Sequence, residues 1–319
     1  MFNSQHAMSR RAGAAAFWAR LPDRDVIRLG KALGMLAYLA DSFHRRIVQR
    51  NIRFAFPEWS FEDVRMLSKR MFQQLGITLL ETIQTAYLSR EQIIGKFSAV
   101  EGHQYVIEAL NRGKGLVVVS AHLGSWELGL QFFNCYFQTP VLGVAKKMHS
   151  DLVERWVYGM RTRLGNQILY KKNALPEISQ TLRRGGVTGL LIDMSRRKDG
   201  VEVEFFGKRA TATPAAALMG IRYKSPVIPM FSIRKPDGRL TIQIEPPIEI
   251  QKTGDLRVDF QVNTQSMTDV VERMVRDYPE QWFWFQRRWK DFYPHLYPDA
   301  EGRRAAKKKK RMRFSEKLQ

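Results

Sequence analysis

The chain has a single cysteine in 319 residues. Cys135 therefore has no intramolecular disulfide partner and no cysteine-cluster metal site can form, which fits a reducing compartment or indifference to redox state. In the apolar, aromatic stretch Phe132, Phe133, Tyr136, Phe137 a lone thiol is most simply a small buried hydrophobe. No run approaches the roughly 18 uninterrupted apolar residues of a spanning helix, so no conventional transmembrane span is expected. An export signal is not expected either: Arg20, Asp23, Arg24 and Asp25 cut short the apolar stretch that follows Arg10 and Arg11. No repeat of fixed period occurs, which sets aside solenoids and propellers.

Acidic residues are scarce. Thirty-one Asp and Glu against 52 Lys and Arg leave a formal charge of +21, which favours a polyanionic partner: nucleic acid, anionic lipid or an acidic protein. The stretch from residue 302 onward holds nine basic residues and one acid, Glu316. No helix-turn-helix, zinc or aromatic RNA-binding signature accompanies the charge, so no specific nucleic acid is expected as partner. A hydrophobic fraction of 44% with 11% aromatics excludes wholesale disorder.

Val26, Ile27, Leu29, Leu33, Met35, Leu36 and Leu39 recur at helical spacing with only Arg28 and Lys31 as charges among them. This amphipathic helix either packs on the protein's own core or lies in a membrane interface, with basic stems reaching anionic headgroups. Arg45, Arg46, Arg50 and Arg53 follow it. After Pro57, Ser60 with Asp63 three residues on starts a second helix carrying Val64, Leu67, Met71, Leu75 and Leu79. Helices alone are expected to about residue 98.

The pattern then changes. A helix to Asn111 and a glycine turn at 113–115 lead into an unbroken apolar run at 116–119, the habit of a strand buried on both faces of a parallel sheet. Helices are expected at 125–137, 151–164, 174–184, from Pro214, and at 260–277; strands at 141–145, 187–192, 201–206, 227–231 and 240–244. This predicts an α/β layered fold with a mostly parallel central sheet flanked by helices and a helical N-terminal section. Three segments result: 1–98, helical and membrane-associating; 99–295, the α/β domain; and 296–319, a basic disordered tail suited to anionic lipid.

The strand at 116–119 runs straight into Ser120, Ala121, His122, Leu123, Gly124, Ser125, Trp126, Glu127, just past a strand's carboxyl end, where catalytic groups collect in open α/β sheets. On one regular helix, His122 and Glu127 would point about 140° apart. Gly124 permits a sharp turn and Ser125 is a good N-cap, so Glu127 falls in the first helical turn while His122 stays in the loop. The carboxylate can then fold back, fix one tautomer and raise the imidazole's basicity, giving a general base with an orienting acid. Backbone N–H groups at the helix start suit an anionic intermediate. The bland alternative is a chance pair, common at this spacing. The HExxH metal spacing and the flanking glycines of a nucleophile elbow are both missing.

VVVSAHLGSWELG resembles the HX4(D/E) motif of glycerolipid-type acyltransferases, and specifically of the bacterial late acyltransferases of lipid A biosynthesis. RNIRFAFPEWS at 50–60 is similar to that family's N-L-x-x-x-F-P-E segment. Arg161 with Gly165, GLLIDM at 189–194, VEVEFFGKRATAT at 201–213, VIPMF at 227–231 and PEQWFWFQRRWK at 279–290 resemble further family blocks in order. The resemblance spans roughly residues 25–292 and implies a glycerolipid-acyltransferase-like fold. It implies an O-acyltransferase in which His122 deprotonates an acceptor hydroxyl attacking an acyl thioester and Glu127 orients that histidine. Asp193 matches the family's acidic position, with a helix cap or salt-bridge acid as the alternative.

By the same resemblance the donor is an acidic acyl carrier protein and the acceptor an anionic, phosphorylated, lipid-linked saccharide. Both would meet at the cytoplasmic face of the inner membrane, with the protein peripheral or monotopic and no cofactor beyond the thioester co-substrate. Arg161 is the family-matched candidate for acceptor phosphates, with Lys146 and Arg163 beside it. Phe205, Phe206 and Gly207 lie near the acyl path by family position, although an aromatic pair on a strand is more often core. The 282–290 block reads either as indoles at headgroup depth or as a buried packing motif. Met194 and Gln286 stand where the family commonly has glutamine and histidine, and Ala145 and Lys146 where it has tyrosine and arginine. Another lysolipid or glycolipid acceptor is the nearest alternative; a catalytically idle basic scaffold is the other.

Overall fold

A computed structural model describes residues 17–170 and 174–298; the basic stretch beyond residue 302 lies outside them. The N-terminal part is helical: α1 (Asp23–Ala40), α2 (Ser42–Ala55), α3 (Phe61–Thr85) and α4 (Arg90–Gly95). The expected capping box starts α3, the Ser60 hydroxyl accepting from the Asp63 N–H and the Asp63 carboxylate accepting from the Ser60 N–H.

The two readings of α1 apply to different faces of the helix. It buries Val26, Gly30 and Gly34 and leaves Leu29, Leu33, Leu36 and Leu39 exposed. Its contact with α3 is backbone against backbone. A Cβ on Gly34 would come within 2.1 Å of the Phe72 carbonyl oxygen, and one on Gly76 within 2.1 Å of that of Gly30. Bare backbone is what lets the helices approach this closely, so the leucines are left outside the core. Among the described residues no helix is long and apolar enough to cross a membrane.

The α/β part follows as β1 (Phe97–Glu101), α5 (His103–Asn111), β2 (Leu116–Ser120), α6 (Trp126–Phe137), β3 (Val141–Ala145), α7 (Asp151–Thr162), β4 (Gln167–Tyr170), α8 (Ala174–Arg183) and β5 (Val187–Leu191). A hairpin comes next, β6 (Val201–Phe205) and β7 (Lys208–Ala212), then α9 (Ala215–Tyr223), β8 (Val227–Arg234), β9 (Leu240–Ile244) and α10 (Leu256–Asp277). Seven strands form one sheet in the order β1-β9-β8-β2-β5-β3-β4. Every neighbouring pair is parallel except β8–β9. Valine-rich β2 lies at the centre, buried on both faces, as its unbroken apolar run requires. Apolar clusters cover both sides: one joins α2, α3, α10 and three tryptophans, the other α4, α5 and α6.

Three strands exceed the expectation from sequence. β1 and β4 are the two edges of the sheet, and β1 buries only Phe97 fully. β7, KRATA, buries only small alanines and turns its charges outward. None carries the dense apolar run by which an inner strand is recognised. Pro214 occupies the N-cap of α9 rather than its first helical position. α10 starts four residues earlier than expected, capped by Asp255.

Candidate active site

β2 ends at Ser120, and five residues of loop precede α6. Gly124 has a φ of +61°, and a Cβ there would meet the Ser232 carbonyl oxygen at 1.9 Å, so only glycine fits. The loop is pinned from several sides. Gly124 N–H donates to the Gln281 carbonyl (3.0 Å), Ser125 N–H to that of Ser232 (2.9 Å), and Phe283 N–H to that of His122 (2.9 Å). The Thr78 hydroxyl of α3 donates to the Gly124 carbonyl at 3.2 Å. Ser125 takes the N-cap position but makes no side-chain capping bond.

Sheet register brings the acid to the base. Ser120 of β2 lies opposite Leu191 of β5, so the residues two beyond each strand end, His122 and Asp193, meet. His122 Nδ1 is 2.8 Å from Asp193 Oδ1, and the His122 backbone N–H donates to Oδ2 at 3.0 Å. Oδ2 also accepts from the Trp282 indole N–H (2.9 Å) and the Gln286 amide (3.0 Å). Burial alone would raise the carboxyl's pKa, but the facing imidazole and these donors hold it down at about 2. Burial likewise pushes the imidazole down, and the Asp193 charge and hydrogen bond outweigh it, so His122 titrates above its ordinary value. An ionised carboxylate only accepts, so Nδ1 carries the proton and the lone pair lies on Nε2. No side chain or carbonyl among the described residues hydrogen-bonds Nε2.

The imidazole is thus oriented by Asp193, not, as the motif spacing suggested, by a fold-back of Glu127. Glu127 is held in a two-pronged pair by Arg161 of α7, Nε to Oε2 at 2.9 Å and Nη2 to Oε1 at 2.5 Å. The planar guanidinium matches both carboxylate oxygens at once, while Asp193 already occupies the Nδ1 side of the ring. Glu127 acts on His122 through space, raising its pKa. Gln131 fixes the end of α7 by donating to the carbonyls of Met160 and Arg161. Arg161→Gln leaves a buried carboxylate without its cation, and we expect a loss of about 3–5 kcal/mol of stability. Thermal unfolding reads this, and adding Glu127→Gln restores part of the loss if the ion pair is its source.

A narrow apolar cavity of about 110 Å³ runs between α6 and the sheet, walled by Val118, Leu130, Phe133, Val141, Ile168 and Met230, with Trp126, Glu127 and Arg161 also lining it. Gly129, Gly143 and Gly189 line it too. Lys146 is exposed beyond β3, and Arg163 donates to the carbonyls of Thr85 and Leu88, tying α7 to the end of α3. Neither lines the cavity. Nor do Phe205 and Phe206, which belong to the core against Trp282, Trp284 and Trp289. Those three indoles are at most 1% exposed, so they pack inward and none lies at headgroup depth.

Trp282 and Gln286 are parts of the site that sequence reasoning missed. Their signal was an alternation: Trp282, Trp284, Gln286 and Arg288 are buried, whereas Phe283, Phe285 and Arg287 are half-exposed. The inward set supplies two of the N–H donors that hold Asp193.

Residues 6–291 match the sequence model of the bacterial lipid A biosynthesis acyltransferase family. The lipid A biosynthesis lauroyltransferase of Escherichia coli (strain K12) is 27% identical over 282 residues, covering 87% of this chain and 90% of that protein. The lipid A biosynthesis palmitoleoyltransferase of the same strain is 25% identical over 281 residues, covering 87% and 89%. A phosphatidylinositol mannoside acyltransferase of Mycolicibacterium smegmatis is 25% identical over 187 residues, covering 57% and 59%. A match over nearly the whole chain makes this protein an acyltransferase of the bacterial lipid A biosynthesis acyltransferase family.

Proposed function

We propose that the protein moves a fatty acyl chain from an acyl carrier protein thioester to a hydroxyl of a lipid A precursor or a closely related glycolipid. The carrying observation is the His122–Asp193 pair, a buried ionised carboxylate that holds Nδ1–H and leaves the Nε2 lone pair open. Nε2 takes the proton of the acceptor hydroxyl as its oxygen attacks the thioester carbonyl. Collapse of the tetrahedral intermediate forms the ester C–O bond and breaks the C–S bond, and the departing thiolate recovers the proton from the imidazolium. Asp193 stabilises that imidazolium throughout. No covalent acyl-enzyme is required.

The cavity takes the hydrocarbon of the donor chain, and the Glu127–Arg161 pair marks its polar side, where Arg161 retains N–H donors toward the developing oxyanion. Lys146 and the other cations around α7 complement an acidic carrier protein. The exposed leucine face of α1, with Arg28 and Lys31 on the same helix, fits peripheral or monotopic binding at the cytoplasmic face of the inner membrane. Relatives named as a lipid A biosynthesis lauroyltransferase and as a phosphatidylinositol mannoside acyltransferase support a glycolipid as the acceptor class.

Two experiments test this reading. Offered carrier-protein or coenzyme A thioesters against phosphorylated saccharide lipids or simple lysophospholipids, the enzyme should turn over fastest with the carrier protein and the saccharide lipid. Turnover restricted to lysophospholipids contradicts the acceptor assignment. A Cβ at Gly143 would meet the tip of Ile168 at 2.9 Å and the Gln167 carbonyl oxygen only at 3.8 Å, so Gly143→Ala narrows the cavity without a clash against backbone. Donor preference should then move to shorter chains by about 10-fold or more, since one methylene in an apolar pocket is worth ~10–200-fold. An unchanged preference across a series of acyl lengths places the chain elsewhere.

A further inference from the structure

The outward set of the 282–288 alternation has no part in the mechanism above, yet it starts at the catalytic base. The Phe283 ring lies 6.1 Å from the His122 imidazole, and the Phe285 ring 5.1 Å from that of Phe283. Phe285 in turn contacts the ring of His44 on α2 at 5.5 Å. Each of these rings is half-exposed, so together they form a strip from the His122 ring to the basic N-terminal helices.

Arg287 follows two residues on. It is half-exposed, and no hydrogen bond or ion pair is made by its guanidinium among the described residues. It contrasts with Arg161 and Arg163, which are committed to Glu127 and to backbone carbonyls. The block is clamped to α2, where the Asn51 amide donates to the carbonyls of Trp284 (2.7 Å) and Gln286 (2.8 Å). Arg287 is therefore presented from a rigid base. Four residues of chain separate it from Phe283, a span of at most ~14 Å.

We propose that Phe283, Phe285 and Arg287 form the acceptor subsite, the rings bearing the acceptor's apolar body and Arg287 pairing with a phosphate of its headgroup. The inference rests on the acyl-transfer reading. The donor chain already has a cavity beside Glu127 and Arg161, whereas the strip starts at His122 and lies on the same outward-facing set of side chains as Arg287, a cation unpaired among the described residues. A guanidinium can take two phosphate oxygens in one plane, which a scattered surface lysine does not do. An acceptor held this way has its hydroxyl at the His122 imidazole and its apolar body along the strip that leads to α2.

The test measures binding separately from turnover. In the His122→Ala background, with or without Arg287→Gln, affinity is measured for phosphatidylcholine vesicles carrying the phosphorylated saccharide lipid, the same lipid dephosphorylated, or phosphatidylglycerol. The proposal expects Arg287→Gln to weaken binding to the phosphorylated lipid by about 10-fold, the scale of a charge-assisted hydrogen-bonded contact, with little change for the other two vesicles. Arg287→Lys should recover part of the loss. Equal weakening on phosphatidylglycerol makes Arg287 a general membrane cation, and no weakening on any vesicle leaves it outside the site; either result overturns the proposal. Displacement of the lipid by inorganic phosphate at concentrations no higher than those at which the lipid binds identifies a bare anion site and likewise overturns the proposal. With His122 intact, Arg287→Gln should raise the acceptor KM and leave the carrier-protein KM in place. Failure of the wild type to acylate any acceptor contradicts the acyl-transfer reading itself, independently of these affinities.

Discussion

His122→Ala lowers turnover by about 10³-fold, within the ~10²–10⁴ range that general-base catalysis contributes, while the fold persists. Both halves of that expectation come from the same four bonds. Asp193 loses the imidazole but keeps the backbone N–H of residue 122, Trp282 and Gln286 as donors, so its buried charge stays hydrogen-bonded. The loop keeps Gly124, Ser125 and Phe283 paired through backbone groups. Initial rates and thermal unfolding on the same preparation separate the two effects. Near-wild-type turnover removes His122 from the chemistry, and a collapsed melting transition makes its role structural.

Asp193→Asn is expected to cost about as much by a different route. The neutral amide no longer stabilises an imidazolium, and its NH2 faces groups that themselves donate, so the Nδ1–H tautomer is no longer enforced. The pH profile identifies this cause. In the wild type the imidazole titrates above its ordinary value, so kcat/KM rises with pH along a limb centred above about 6.5. Without the Asp193 charge, burial is unopposed and the limb moves to lower pH as the rate falls. A slower variant with the limb unmoved means that Asp193 only shapes the loop.

Stability follows from the same linkage. Asp193, depressed to about 2, contributes stability that is present above its unfolded value near ~4 and lost as pH falls toward 2. His122, raised, contributes stability that is present below ~6.5 and lost as pH rises through its folded value. The pair therefore supports the fold most between about pH 4 and 6.5. Denaturant midpoints of wild type and His122→Ala should diverge most within that window.

What the sequence made legible, and what it did not, follows the range of the interactions. The β2 strand, the Gly124 turn and the loop position of His122 are local, written in a valine run and a glycine, and they form as expected. The partner of His122 is not local. Asp193 reaches it because β2 and β5 pair in a register that spacing along the chain does not encode. Glu127, five residues from His122, was the obvious orienting acid until Arg161, 34 residues further on, captured it. The edge strands β1 and β4 escaped because half-exposed strands lack a dense apolar run. The tryptophans of 282–289 were read as either interfacial or buried, and only their packing against Phe205 and Phe206 decides for burial.

The most direct test of the account is the mass of the lipid product. Purified wild-type and His122→Ala proteins are each given acyl carrier protein thioesters and a phosphorylated saccharide lipid, and the lipids and intact proteins are weighed by mass spectrometry. The account predicts one added acyl chain on the lipid with wild type, almost none with the variant in the same time, and no acyl adduct on either protein. An acylated protein, or equal product from both, would contradict direct transfer with His122 as the base.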